Sequence, residues 1–101
     1  MRRFLTTIVI LIAVSTQLFS KSGTTKSDYP ACIKSEWLDD MATFKTEGDT
    51  DSMKYYVKSQ KCLMLGGGMK VIAVKRESYG VVSFIYNDTK FWTYSEAIKT
   101  R

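Results

Sequence analysis

The sequence predicts a small α+β domain in which a disulfide-tethered N-terminal helical hairpin packs on a small, curved antiparallel β-sheet. Three observations predict it. Apolar residues recur at helical spacing between Ser35 and Gln60, then switch to a period of two from Cys62 onward. The only two cysteines, Cys32 and Cys62, bracket the helical part. Turn residues punctuate the remainder at short intervals, at Gly66-Gly67-Gly68, Tyr79-Gly80 and Asn87-Asp88.

The chain opens with Arg2 and Arg3, an apolar run from Phe4 to Val14 and a polar stretch from Ser15 to Ser20. Residues 1–20 therefore read as a secretory signal peptide, with cleavage after Ser20 favoured over Ser15 or Ser22. A membrane helix needs about 20 mostly apolar residues, so no stable membrane insertion is expected after cleavage. An uncleaved signal anchor is the competing reading. Export places the protein in a periplasmic or secreted, oxidising setting. There, an even cysteine count in a small domain reads as a bridge, here Cys32 to Cys62. Two free reactive thiols are the alternative, and they need an electropositive, thiolate-stabilising neighbourhood. Closing a loop of about 30 residues contributes roughly 3–4 kcal/mol. The remaining ~80 residues need such help, because a domain this small buries only a little over half of its unfolded surface.

Residues 21–28 are small and polar and read as a flexible linker. A single small domain follows over residues 29–101, with the helical hairpin at 29–61. Ser35 suits an N-cap, and Glu36, Asp39 and Asp40 load the first turns with the charge the helix dipole favours. Trp37, Leu38, Met41 and Phe44 share one face, and Gly48 ends the helix. A second helix, capped by Thr50 or Asp51, carries Met53, Tyr56 and Val57 on its apolar side and stops near Gln60. Short strands are expected at 62–65, 69–76, 81–86 and 90–94. A helical turn follows at 95–98, and the tail 99–101 is expected to be loose.

The C-terminal part resembles a bacterial SH3-like domain over residues 62–98. The matching stretches are Gly68-Met69-Lys70-Val71, Tyr79-Gly80-Val81-Val82, Phe91-Trp92-Thr93 and Ser95 to Ile98. The resemblance implies an SH3-like sheet and a binding module for cell-wall peptides or protein partners. The chain departs from the pattern in two ways. The helical hairpin stands where that family has an extra strand and an Arg-containing loop, and Phe91 stands where it has Gly. The matched residues determine fold, so no ligand-binding role carries over.

Several kinds of chemistry are disfavoured. There is no His, which removes the commonest general base and metal ligand and any Ser-His-Asp or Cys-His arrangement. With both cysteines paired, soft-metal sites lose their usual ligands. Asp49 and Asp51 begin like a calcium loop, but the rest of that pattern is missing. No catalytic residue, cofactor or metal ligand is therefore expected. The formal net charge is +5, and loss of Arg2 and Arg3 with the leader removes two of those charges. The lysines are scattered among acidic residues, so no nucleic-acid footprint is expected. Asn87-Asp88-Thr89 matches a glycosylation sequon and is equally well explained as hairpin-turn chemistry.

Aromatic residues are the best functional hint, at 13% of the chain, because one small core cannot enclose them all. Trp37, Phe44 and Phe84 are expected in the core. Phe91 and Trp92 must face opposite sides of their strand. Tyr79, Trp92 and Tyr94 are the candidate binding surface. The expected function is that of an exported, non-catalytic binding protein that recognises an envelope protein or a cell-wall peptide. The alternative is a small periplasmic inhibitor, an immunity-type protein or a phage-encoded envelope factor.

Overall fold

The computed structural model describes residues 21–100. The signal peptide read over residues 1–20 lies outside the described residues. In chain order the elements are β1 (Ser22–Thr25), β2 (Pro30–Cys32), α1 (Ser35–Glu47), α2 (Thr50–Lys58), β3 (Cys62–Met64), β4 (Lys70–Ser78), β5 (Val81–Tyr86), β6 (Thr89–Tyr94), a 3₁₀ turn (Ser95–Ala97) and β7 (Ile98–Thr100). The strands form one antiparallel sheet of seven, in the order β3-β2-β6-β5-β4-β1-β7.

The class is α+β, but the expected architecture is corrected. An N-terminal helical hairpin on a small SH3-like sheet confined to residues 62–98 is not what forms. Two strands precede the helices, and the sheet takes strands from both ends of the described chain. Residues 21–28, read as a linker, carry β1, which sits between β4 and β7. The tail read as loose carries β7.

The physical reasons for β1 lie at Gly23 and Thr25. A Cβ on Gly23 would stand 2.9 Å from both the Ile98 Cγ2 and the Lys99 carbonyl oxygen, so only glycine allows β7 this close. Thr25 is buried and ties down the glycine loop. Its hydroxyl donates to the Gly66 carbonyl and accepts from the Met69 N–H at 3.0 Å, and its own carbonyl accepts from the Gly68 N–H at 2.7 Å.

The sheet is strongly curved. Ala31, near one end of the strand order, and Ile98, at the other, share a single buried cluster with Leu65, Val71, Val82, Phe84, Phe91 and Ala97. A bulge between Ile72 and Lys75, with Ala73 at φ 54°, adds local twist. The β5–β6 hairpin turns through Asn87 and Asp88 at φ 50° and 61°, a left-handed pair that Asn and Asp tolerate and that matches strand twist.

A second cluster lies on the opposite face, between sheet and helices. It is built from Cys32, Cys62, Leu38 and Met41, with Trp37, Phe44, Met53, Tyr56, Val81, Trp92 and Tyr94 packed around them. Cys32 faces Cys62 in the β2–β3 register, and the two form the buried disulfide. Of the three residues expected in the core, Phe84 is fully buried, while Trp37 and Phe44 are half-buried on the second cluster.

The helix ends differ slightly from expectation. Lys34, not Ser35, occupies the N-cap of α1, without a side-chain cap, and Gly48 at φ 71° ends it. Asp49, not Thr50 or Asp51, caps α2. Its carboxylate accepts from the Ser52 hydroxyl at 2.6 Å and the Ser52 N–H at 3.1 Å, and both bonds hold it below the usual carboxylate range.

Candidate functional site

Trp92 and Tyr94 lie two residues apart on β6 and point to the helix side, as their cross-strand partners Cys32 and Val81 do. Phe91 points to the other face, where it stacks on Phe84 with ring centroids 5.6 Å apart. The three sequence candidates do not form one patch. Tyr79 is fully exposed in the β4–β5 turn and shares a shallow cleft of about 480 Å³ with Arg76, Tyr94 and Glu96. Trp92 does not line that cleft. It is half-buried against the second cluster, with the Lys90 ammonium 4.6 Å from its ring centroid.

Lys90 is also one corner of a polar cluster. The buried Ser83 hydroxyl donates to Glu77 Oε2 at 2.5 Å, and Lys90 Nζ lies 3.3 Å from the same oxygen. The Ser83 hydroxyl first, and then Lys90, hold the Glu77 carboxyl below its ordinary value of 4.5. A carboxylate with a lowered folded-state pKa stabilises the fold above its unfolded value, and that contribution fades as pH falls through the folded value. Glu77→Gln is therefore expected to flatten the acid side of the stability profile. Thermal melts of both proteins between about pH 6 and pH 3 test this, and parallel profiles would remove Glu77 from the acid response.

Tyr94 links the exposed cleft to a deeper feature. It lines a groove of about 520 Å³ bounded by the 27–30 segment, α1 and α2, with Met41, Met53 and Met64 along it and Asp28, Lys45 and Glu96 at its rim. Burial raises the Tyr94 phenol above its usual range, with Asp39 and Glu96 adding to the effect, so it stays neutral there. The same three methionines continue into an almost wholly apolar hollow of about 540 Å³. Val57 walls it and Lys54 and Lys58 edge it. Met41 forms a buried base, whereas Met64 is 45% exposed.

Sequence reasoning placed Met41 and Met53 on apolar helix faces and Met64 in a strand, but missed their convergence. One signal was available. Four of the five methionines fall between positions 41 and 69. Methionine, unbranched and polarisable, is over-used on adaptable binding surfaces.

A second aromatic group surrounds the start of α1. Lys61 Nζ lies 4.7 Å from the Tyr56 ring centroid and 5.2 Å from that of Trp37, and Lys34 Nζ lies 5.0 Å from Trp37. These ammonium groups already have aromatic partners within the fold. The Tyr56 hydroxyl donates to Asp40 at 2.7 Å, which raises the phenol above its usual range.

Among the described residues, no group of three or more Cys, Asp or Glu side chains is placed to hold a metal ion. No helix among them is long and apolar enough to cross a membrane. The disulfide fits an oxidising, extracytoplasmic compartment. Comparison with protein-family models, with curated proteins and with solved structures finds no match to this chain.

Proposed function

We propose that this is an exported, non-catalytic binding protein of the cell envelope, periplasmic or secreted, that recognises a protein or cell-wall peptide partner. The observation that carries this reading is the groove floored by Met41, Met53 and Met64. It is concave and mostly apolar, with a few charged groups at its rim, the usual character of a recognition site. The disulfide supports the extracytoplasmic setting. The short cleft beside Tyr79 and Tyr94 extends the same surface.

The test is retention of partners by the oxidised, tagged protein from envelope extract and, separately, its sedimentation with purified peptidoglycan. Retention of one protein at near-equal stoichiometry supports protein recognition. Cosedimentation with peptidoglycan supports a wall-peptide ligand. Retention of neither overturns the reading.

A further inference from the structure

The two hollows form one groove with opposite charge at its ends. They share Met41, Met53 and Met64. At the α2 end the charged rim residues are Lys54 and Lys58, with no carboxylate among the lining residues. At the other end the charged lining residues are Asp28 and Glu96, with a single lysine, Lys45. Between them the floor is apolar. An occupant matched to this groove is acidic at one end, apolar in the middle and basic at the other.

The adjoining strand indicates what backbone such an occupant has. β3 ends the sheet. The Leu65 N–H bonds to the Tyr29 carbonyl at 2.8 Å and the Ile33 N–H to the Lys61 carbonyl at 3.0 Å. Residues 61, 63 and 65 therefore direct their peptide groups toward β2, and alternation turns those of Cys62 and Met64 outward. Cys62 is buried, with Val57 beside it, whereas Met64 is 45% exposed. An open strand edge offers main-chain hydrogen bonds to an added chain. A lipid cannot match that edge, so the edge favours a peptide over a membrane surface.

We infer that the Met41–Met53–Met64 groove binds an extended peptide segment, its carboxylates on Lys54 and Lys58, its basic group toward Asp28 and Glu96, and its backbone against the open end of β3. The inference rests on the reading of this protein as a binding module and narrows its ligand class.

The experiment is panning of a random dodecapeptide library against the oxidised protein recovered from a secretion host. Enriched peptides are expected to carry Asp or Glu toward one end, Lys or Arg toward the other and apolar residues between. The best of them is expected to bind Lys54→Glu/Lys58→Glu about tenfold more weakly. N-methylation of alternate peptide amides is expected to abolish binding. Both substituted lysines are exposed, so circular dichroism is expected to confirm an unchanged fold. The inference is overturned by no enrichment, by peptides indifferent to the lysine reversal, by peptides indifferent to N-methylation, or by a groove sequestered by a second copy of the chain in sedimentation. Binding of phosphatidylglycerol vesicles that is lost in the reversed variant, without peptide enrichment, assigns the groove to membranes and also overturns it. A partner retained from envelope extract equally by the native protein and the reversed variant would refute the groove inference while leaving the broader function standing.

Discussion

Replacement of both cysteines, Cys32→Ala with Cys62→Ala, is expected to lower stability by about 3–4 kcal/mol, from the loop-closure entropy of the 30-residue separation. The bond closes a loop that contains both helices, so its loss frees the whole helix pair in the unfolded chain. It also acts where the sheet is weakest. β2 and β3 are three residues each, and β3 has a neighbour on only one side. The sulfurs are buried beneath Leu38 and Met41, so their removal also loosens the second cluster. Urea unfolding followed by the fluorescence of Trp37 and Trp92 measures the effect, since both rings pack on this cluster. The midpoint is expected to fall and the slope to rise, because the uncrosslinked denatured chain exposes more surface. A loss below about 1 kcal/mol would mean that the unfolded chain keeps the helix pair together without the bond. It would then remove the disulfide as the main support of this small domain.

The elements legible in the sequence are those whose signal is local. The spacing of Trp37, Leu38, Met41 and Phe44 fixed α1, and Gly48 its end, because one helix face and one left-handed residue suffice. β5 and β6 were equally plain, since Asn87-Asp88 can take the two left-handed positions a tight hairpin needs. β1 and β7 were not. Ser22-Gly23-Thr24-Thr25 has the composition of a linker, and becomes a strand because Gly23 admits β7 and Thr25 anchors the glycine loop. Those partners lie at the far end of the chain or in the middle of it, so no local pattern announces them. The groove failed to appear for the same reason. Met41, Met53 and Met64 each looked like ordinary apolar positions, and only the packing of α1 and α2 beside β3 brings them together. Tyr79 and Tyr94 do meet in one cleft, whereas Trp92 is held by Lys90 and the second cluster.

The other large effect belongs to the first cluster. Phe84→Ala is expected to cost about 3–5 kcal/mol, the range for truncating a buried aromatic residue. Phe84 is 1% exposed, stacks on Phe91 and shares its cluster with Ala31 of β2 and Ile98 of β7. Its ring therefore fills the space that a curved sheet must close around, and neither α1 nor α2 contributes a residue to this cluster. Tyr79→Ala, at a fully exposed position, is expected to change stability by less than about 0.5 kcal/mol and serves as the control. The two clusters lie on opposite faces of one sheet, so Phe84→Ala and the double cysteine replacement test whether the sheet transmits cooperativity between them. If unfolding is a single transition, both sets of changes lower the same midpoint and their energies add. If the helix side can open while the curved sheet persists, the cysteine variant will lose the tryptophan signal before the sheet's far-ultraviolet signal. Phe84→Ala will then abolish that separation by pulling the sheet down to the stability of the helix pair.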